Sequence, residues 1–271
     1  MKLVNQSAEL IQQKEGIQGI YDIIAECAST CYKSTPKTGD SAKEFVDKLI
    51  KNGHTAMLEF GTVYYTIPRE DIEGCDELQG WKYDWDGSPY IDYDCDGNYF
   101  YVTTNLRYVM ESYMWAENME KYIVEPTEYH PKRVCVRIIT SIGIARELTR
   151  HRVFSFAQES TRYCNYSTDK FGGELTFITP DKEAWGGCTD AYVKQINILT
   201  DVENCYLTAI QHGVSPQVTR NILLLSTKTE ICMCGFVDDW KHFMDLRLRG
   251  TTGAPHPEMK ILAEQINELI K

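Results

Sequence analysis

The sequence predicts an α+β fold, a single domain in which an antiparallel sheet packs against a helical C-terminal half. Strand-like segments lie before residue 141, long amphipathic segments follow residue 189, and no low-complexity linker or internal repeat separates them. The chain has 271 residues, 43% of them apolar, which is enough for a sizeable core. We therefore expect one domain over residues 1–271.

A helix and a strand are the first predicted elements. Ser41 followed by Glu44 resembles a capping box, which predicts a helix from this point to Gly53. Residues 57–67 alternate apolar and polar side chains as a half-buried strand does. Pro68 is expected to close this strand, because proline cannot donate a hydrogen bond to a ladder.

An acidic, glycine- and tyrosine-rich insert is predicted at about residues 70–100. Its composition predicts a solvated hairpin or long loop. Asp92, Asp94 and Asp96 have the spacing of a calcium loop, but the glutamate that such a loop needs is missing at the right distance. We therefore predict no metal site here.

The later elements are predicted to be mainly helical. Amphipathic periodicity and capping residues predict helices at residues 104–122, 142–151, 189–212, 238–249 and 258–271, with one more helix beginning at Ser215-Pro216. The β-branched side chains of residues 133–140 predict a strand. Gly213, just past the longest helix, is expected to end it.

Composition restricts the classes of function. A net charge of −11 argues against a broad nucleic-acid surface, which normally needs a basic domain. No signal-like segment or bilayer-length apolar run is present. The ten cysteines include no Cys-x-x-Cys pair, so neither a zinc site nor a disulfide framework is expected. These features predict a soluble cytoplasmic protein without nucleic-acid or membrane partners.

The most informative segment is a basic run in this acidic chain: Arg150-His151-Arg152-Val153-Phe154-Ser155-Phe156-Ala157-Gln158-Glu159-Ser160-Thr161-Arg162-Tyr163. Guanidinium groups bind phosphates through a rigid fork of donors, and nearby hydroxyls and amides can fix a ring or sugar. The interleaved apolar residues indicate that the run is partly buried, where unpaired arginines would need an anion. No phosphate loop, dinucleotide fingerprint or nucleophile elbow occurs, so arginine side chains must hold any phosphate.

The motifs of this chain resemble those of the flavin-dependent thymidylate synthases, the ThyX family. The run at residues 150–162 matches the family's Arg-His-Arg signature, and residues 213–220 and 243–247 match its Gly-Val-Pro-x-x-x-x-Arg and Phe-Leu-x-Leu-Arg segments. Residues 53–59 resemble Gly-His-x-x-x-x-Glu, and residues 28–32 resemble Ala-Arg-Val-Ser-Phe. The resemblance covers most of the chain except residues 70–133.

The resemblance implies a ThyX-like fold and reductive methylation of dUMP to dTMP. Methylenetetrahydrofolate would supply the one-carbon unit, NADPH would reduce FAD, and the reduced FAD would deliver hydride. It also implies a homotetramer with FAD and dUMP at shared sites. The classical cysteine-dependent thymidylate synthase is disfavoured, because no Pro-Cys-His-type segment occurs.

The resemblance also implies roles for individual residues. Arg247 would polarise the uracil and favour ionisation at its N3, and Ser160 would orient the ring rather than attack it. The residues that would contact dUMP are Glu147, Arg150, Gln158, Glu159, Ser160, Thr161, Arg162, Arg220 and Arg247. The residues that would contact FAD are Cys31, Phe60, Arg150, His151, Arg152, Gln158, Phe236 and His242.

Several positions depart from the family pattern, mostly near the implied flavin site. Phe60 stands where the family has a histidine, Ala157-Gln158 replaces an Asn-Glu pair, and Phe236 and His242 align with asparagines. Two alternatives therefore remain. One is a degenerate relative that binds dUMP without converting it, and the other is a nucleotide- or RNA-binding protein that stacks bases on the tyrosines around the run.

Overall fold

The computed structural model describes residues 1–83, 85, 87–112, 119–181 and 187–271. Its strands are β1 (Lys2–Val4), β2 (Ser7–Ile11), β3 (Thr62–Pro68), β4 (Asp92–Cys95), β5 (Tyr99–Asn105), β6 (Arg133–Ser141), β7 (Ser155–Gln158), β8 (Thr176–Ile178) and β9 (Lys228–Phe236). Its α-helices are α1 (Gly16–Tyr32), α2 (Asp40–Lys51), α3 (Arg69–Glu73), α4 (Asp76–Tyr83), α5 (Leu106–Glu111), α6 (Ile142–Leu148), α7 (Thr189–Gln211), α8 (Pro216–Thr219), α9 (Val237–Arg247) and α10 (Pro257–Leu269). Short 3-10 turns lie at Thr55–Phe60, Glu120–Tyr122, Asp169–Phe171 and Arg220–Ile222.

The central sheet is antiparallel, with strand order β2-β6-β9-β7. Because side chains alternate across a strand, neighbouring residues of β9 enter different cores. Cys232 and Cys234 face a core shared with α1, whereas Ile231 and Met233 face a core shared with α9 and α10. The predicted α+β fold, with C-terminal helices packed on an antiparallel sheet, is confirmed.

Two smaller sheets complete the described fold. Strands β3, β5 and β4 form an antiparallel sheet whose apolar side chains join the core under α1. Strands β1 and β8 pair in parallel, and α7 packs beside them through Leu199 and Tyr206. None of the described helices has the length and apolar character needed to cross a bilayer.

The first predicted helix is present, but the capping box that was expected to start it is not. Helix α2 begins after Gly39, whose φ of 59° lies in the left-handed region that favours glycine, and no side chain caps this end. Ser41 lies inside the helix and donates to the carbonyl of Thr38 instead. The short polar side chain therefore satisfies a local backbone acceptor.

The strand predicted at residues 57–67 is only half right. Thr55–Phe60 forms a 3-10 turn with Leu58 and Phe60 fully buried, and the strand begins at Thr62. Gly61 separates the two elements at a close approach to α1, where a Cβ atom would lie 2.6 Å from a methyl group of Ile20. The apolar residues of the turn face the core with a spacing that resembles strand alternation.

The insert is not the solvated hairpin that its composition predicts. A hairpin is present, since β4 pairs with β5, but α3 and α4 precede it. Ile72, Leu78, Trp85 and Ile91 are at most 8% exposed and join the core cluster under α1. The contribution of these four residues to the core could not be recognised in the sequence, because acidic residues lie between them.

The helix predicted at residues 104–122 is interrupted. Thr104 and Asn105 end β5, α5 covers six residues, and residues 113–118 lie outside the described part of the chain. Asn105 caps α5 by accepting from the backbone N–H of Tyr108 at 2.9 Å. Pairing of β5 with β3 therefore overrides helix propensity at the first two positions.

The other predicted elements agree with the structure to within a few residues. These are the strand β6 and the helices α6, α7, α8, α9 and α10. Strands β7 and β9 and helix α1 are additional, and they bring the basic run into the central sheet. The run therefore forms a turn after α6, the strand β7 and a second turn.

The contact between Gly235 and Phe154 gives a test of this packing. A Cβ atom at Gly235 would lie 2.4 Å from Cδ1 of Phe154, whose ring packs against Trp240 and Phe243. We expect Gly235→Ala to lower the unfolding free energy by about 1–3 kcal/mol, since overpacking forces side chains from their rotamers. Gly80→Ala, which meets no atom within 4 Å, is the matched control in urea unfolding. Equal stability of the two variants would contradict the packing.

Candidate functional site

The basic run crosses the edge of the central sheet next to α9. Helix α6, capped by Ser141, ends just before Arg150, and the chain then turns into β7. Phe154 and Ala157 are buried, whereas Arg150 and Arg152 are exposed. Apolar residues thus anchor the run in the sheet, as the interleaved pattern predicts, whereas Arg150 and Arg152 are exposed rather than drawn into a partly buried surface.

Arg247 joins α9 to the basic run. Its NH1 donates to Oε2 of Glu147 at 2.9 Å, and its Nε donates to Nε2 of His151 at 2.9 Å. The side chains of Arg247 and Glu147 are 21% and 31% exposed, so the ion pair lies at the surface end of the helix. The structure therefore brings together three residues that the sequence analysis assigned to the site from separate motifs.

His151 is held in its neutral form at this position. Burial, the nearby charge of Arg247 and His242 lower its pKa to about 4. A neutral imidazole can accept the hydrogen bond from Arg247 through Nε2, whereas an imidazolium cannot. His151 therefore orients the guanidinium without adding a second positive charge.

The depressed pKa of His151 predicts an acid-sensitive contribution to stability. Between the unfolded pKa near 6.5 and the folded value of about 4, the unfolded chain binds the extra proton, so stability falls as the pH falls through this window. The unfolding free energy of the unaltered chain should fall as the pH is lowered from 6.5 to 4. In His151→Gln this fall should be smaller, by an amount on the order of 2 kcal/mol. His256→Gln, at an exposed helix cap, is the control. An unchanged slope in His151→Gln would contradict the assignment.

A buried charge network lies behind the run, on the sheet face covered by α1. Glu159 has a side chain only 1% exposed, and its Oε2 lies 2.7 Å from Nζ of Lys228. Tyr166 donates to Oε1 of Glu159 at 2.9 Å, and Lys33 pairs with the neighbouring Glu230. Glu159 therefore holds the run in place from the buried face of the sheet.

The turn after β7 is fixed to the end of α1. The backbone N–H of Ser160 donates to the carbonyl of Cys31 at 3.0 Å, and Gln158 donates to the Thr229 hydroxyl at 3.2 Å. Ser160 and Thr161 are half-buried. Gln158 faces the α9 side of the sheet and Glu159 the α1 side, so the two adjacent assigned residues point in opposite directions.

Cys164 follows this turn and is not a reactive thiol. It is 2% exposed, and burial together with Glu159 raises its pKa to about 11. A thiol with this pKa is almost entirely protonated near neutral pH. The residue therefore packs as a small apolar side chain.

Four assigned arginines present free guanidinium groups. Arg150, Arg152, Arg162 and Arg220 are exposed, and none forms an ion pair with a residue that the structure describes. Arg162 makes a cation–π contact, since its guanidinium lies 5.2 Å from the ring centroid of Tyr163. Unpaired arginines in a chain of net charge −11 are available to bind an anion.

A large cleft lies beside Cys31, and we call it the α1–α2 cleft. It has a volume of about 1000 Å³ and is bounded by the end of α1, by α2 and by residues 53–57. Its walls combine apolar and cationic side chains, including Tyr32, Phe45, Lys48 and His54. The segment that resembles Gly-His-x-x-x-x-Glu therefore lines the cleft with its first half.

The residues assigned to FAD do not lie together within one chain. Cys31 lines the α1–α2 cleft, whereas the side chain of Phe60 is fully buried in the core. Phe236 is 7% exposed and packs on Arg133 at the far end of β9. His242 is exposed on α9 near His151.

Sequence reasoning missed the partners that hold the assigned residues. Lys228 and Glu230 on β9 and Lys33 after α1 form the network around Glu159, although they are remote from it in sequence. Lys33 is the one described non-glycine residue with a left-handed backbone, at φ 49°. The opposite charges of Lys228 and Glu230 at the start of an otherwise apolar strand were the sequence signal that could have indicated this network. No group of three or more described His, Cys, Asp or Glu residues is placed to hold a metal ion.

Comparison with known proteins relates this chain to one family. The sequence profile of the family described as "Thymidylate synthase complementing protein" matches residues 130–271, more than half of the chain. The matched segment contains the basic run, Arg220 and Arg247. Residues 1–129, including the α1–α2 cleft and the insert, precede it.

Individual relatives match over a similar region. A probable flavin-dependent thymidylate synthase of Paramecium bursaria Chlorella virus 1 is 27% identical over 139 residues, covering 47% of this chain and 62% of its own. The flavin-dependent thymidylate synthase of Synechocystis is 26% identical over 137 residues, covering 48% and 64%. That of Pyrococcus furiosus is 32% identical over 114 residues, covering 42% and 43%. The matches thus span less than two thirds of each relative.

A solved structure is similar over almost the whole length. The UMP/dUMP methylase PolB of Streptomyces cacaoi, bound with 5-Br dUMP, aligns with 99% of this chain and 91% of its own at 14% sequence identity and a TM-score of 0.47.

Proposed function

The chain belongs to the thymidylate synthase complementing protein family, and on this premise we propose that it is a flavin-dependent thymidylate synthase. It converts dUMP to dTMP, with methylenetetrahydrofolate as the one-carbon donor and NADPH as the source of reducing equivalents. The observation that carries the proposal is the set of exposed arginines without ion-pair partners in the described part of an acidic chain, together with the contact of Arg247 with Glu147 and His151. These groups suit a small phosphorylated ligand better than a polymer.

The arginines divide the work of binding dUMP. Arg150, Arg162 and Arg220 offer guanidinium groups to the phosphate. Because none of the three forms an ion pair with a described residue, binding the phosphate does not require such a pair to break. Ser160 and Thr161 supply hydroxyl groups at the half-buried turn, where they can orient the ring and sugar. The main-chain bond from Ser160 to Cys31 keeps this turn fixed before the ligand arrives.

Arg247 is the catalytic side chain of the proposal. A guanidinium close to a uracil carbonyl stabilises the negative charge that develops when the N3 proton leaves. Glu147 and neutral His151 hold the guanidinium through NH1 and Nε, which leaves NH2 with a single long contact of 3.4 Å to the Glu147 carbonyl. NH2 is therefore the nitrogen with most donor capacity left for the substrate.

The α1–α2 cleft fits the cofactor of this reaction. FAD has a planar aromatic ring system and an anionic diphosphate, and the cleft offers Tyr32, Phe45 and Met57 beside Lys37 and Lys48. When bound and reduced, FAD supplies the hydride. The residues of this chain bind it, exclude water with apolar walls and neutralise its charge.

We further propose a homotetramer with shared sites in the cytoplasm, each chain forming one domain over residues 1–271. Shared sites are proposed because the residues assigned to FAD fall into two groups, Cys31 in the α1–α2 cleft and His151 with His242 beside α9. The core under α1 supports one domain, because it draws side chains from Ile11 to Cys234.

Spectroscopic binding tests the proposal before turnover does. Purified protein should bind FAD, and adding dUMP should perturb the visible absorbance of the bound flavin. Lys48→Glu, in the cleft wall, should weaken FAD binding at least tenfold, whereas Lys51→Glu, exposed on the same helix and outside the described lining, should not. FAD binding without a dUMP response would contradict a shared site. Salt-sensitive RNA binding without FAD would favour the RNA-binding alternative.

A further inference from the structure

The end of α1 has a lysine at a position that usually favours glycine. The backbone N–H of Lys33 donates to the carbonyl of Thr30 at 3.3 Å, and that of Ser34 donates to the carbonyl of Ser29 at 3.1 Å. This pair of bonds is a Schellman motif, whose left-handed residue is usually glycine because a Cβ atom crowds the backbone there. Lys33 adopts this conformation, with φ 49° and ψ 40°. Other contacts must offset the strain, and the side chain of Lys33 makes them.

The ammonium group of Lys33 contacts two buried carboxylates at the central sheet. It pairs with Glu230 and lies 3.9 Å from Oε2 of Glu159, and the side chains of these glutamates are 10% and 1% exposed. Lys228 of β9 lies 2.7 Å from Glu159 and 4.0 Å from Glu230, so the two carboxylates share two lysines. Buried carboxylates are costly unless cations and hydrogen bonds compensate them. Lys33 therefore supplies part of the positive charge that this buried pair needs.

The turn after β7 is attached both to β9 and to the end of α1. The backbone N–H of Glu159 donates to the carbonyl of Glu230 in β9 at 2.8 Å. The backbone N–H of the next residue, Ser160, donates to the carbonyl of Cys31 in α1 at 3.0 Å. The position of Ser160 therefore depends on how the end of α1 lies against β9. Lys33 fixes this relation, because it directly follows α1 and pairs with a carboxylate of β9.

We propose that Lys33 is a positioning residue for the nucleotide and acts without contacting it. By holding the end of α1 against β9, Lys33 keeps the backbone of Ser160 in place and presents the hydroxyls of Ser160 and Thr161 in a fixed geometry. A preorganised turn binds more tightly, because less conformational freedom is lost when the ligand arrives. This inference rests on the proposed function, in which the two hydroxyls orient the ring and sugar of dUMP. It also gives a reason for a lysine where glycine would be less strained.

Amide hydrogen exchange of the full chain without nucleotide tests the positioning step alone. In Lys33→Gly the Ser160 N–H should exchange at least about tenfold faster, because its bond to Cys31 loses support. A role limited to ending the helix predicts unchanged or slower exchange instead, since glycine relieves the left-handed strain. Lys33→Arg keeps the charge and should stay within about twofold of the unaltered chain. Lys14→Met, which removes a 75% exposed lysine 3.8 Å from Asp22, is the control and should have no effect. Unchanged exchange in Lys33→Gly would overturn the proposal.

Calorimetric titration with dUMP at saturating FAD tests the consequence for binding. Lys33→Gly should weaken dUMP binding at least about tenfold, whereas Lys33→Arg and Lys14→Met should not. In a background that carries Ser160→Ala and Thr161→Ala, Lys33→Gly should change the affinity by less than about threefold, because a residue that acts through these hydroxyls is not additive with them. Unchanged affinity in Lys33→Gly, or full additivity, would overturn the proposal. Absence of dUMP binding by the unaltered chain would instead overturn the proposed function, and the nucleotide role of Lys33 with it.

Discussion

Arg247→Ala should lower the rate of dTMP formation by at least about 10²-fold, the loss typical of removing one fixed group that stabilises developing charge. The guanidinium is already oriented by Glu147 and His151, so its removal costs the reaction a preorganised cation. Folding should survive, because the side chain is 21% exposed and lies at the end of α9. Turnover is measured as dTMP formed at saturating dUMP and FAD.

Two further variants make this result specific. Arg249→Ala, two residues away, removes an exposed arginine paired with Asp245 and should leave turnover unchanged. Arg247→Lys keeps the charge but loses the planar fork, so its rate should lie between those of the alanine variant and the unaltered chain. Removal of Arg247 should also raise the pKa of His151, since the arginine charge helps to lower it. Full turnover by Arg247→Ala would contradict the proposed chemistry.

Lys228→Met should destabilise the fold by about 3–5 kcal/mol, because it leaves a buried carboxylate without its cation. The Lys228 ammonium lies 2.7 Å from Glu159, whose side chain is 1% exposed. The remaining partners, the Tyr166 hydroxyl and a Lys33 ammonium 3.9 Å away, compensate only in part. Urea unfolding measures the loss.

The control for Lys228→Met is a pair of similar type at the surface. Lys43 and Asp47 form an ion pair on α2 with both side chains 53% exposed, and Lys43→Met should have no measurable effect on stability. Adding Glu159→Leu to Lys228→Met should restore part of the lost stability, since it removes the stranded charge. If Lys228→Met and Lys43→Met unfolded at the same urea concentration, the burial of the network would be refuted.

The sequence predicted the helices of the second half because their periodicity and caps are local signals. The boundaries of α7 and α9 need little more than amphipathic spacing and a terminal glycine or arginine. The insert was misjudged because Ile72, Trp85 and Ile91 are isolated among acidic residues, and they are buried by packing into the core cluster under α1. Packing against residues that are distant in sequence leaves no comparable local signal.

The candidate site was predicted through its motifs rather than through its contacts. The structure brings Arg247 beside Glu147 and His151, which the motifs assigned to the dUMP and FAD contacts respectively, although these residues are about 100 positions apart in sequence. The motifs also assigned ligand contacts to Phe60 and Glu159, whose side chains are buried. A motif position fixes the backbone location, but the burial of its side chain depends on partners such as Lys228 that come from another strand.

The most direct test of the proposed function is tritium release from [5-³H]dUMP. Release should require FAD, methylenetetrahydrofolate and NADPH together, fail when any one is omitted, and fall at least about 10²-fold in Arg247→Ala. Release that persists without flavin, or no release from protein that binds both FAD and dUMP, would contradict a flavin-dependent thymidylate synthase. The second outcome would identify a relative that retains the nucleotide site without the reaction.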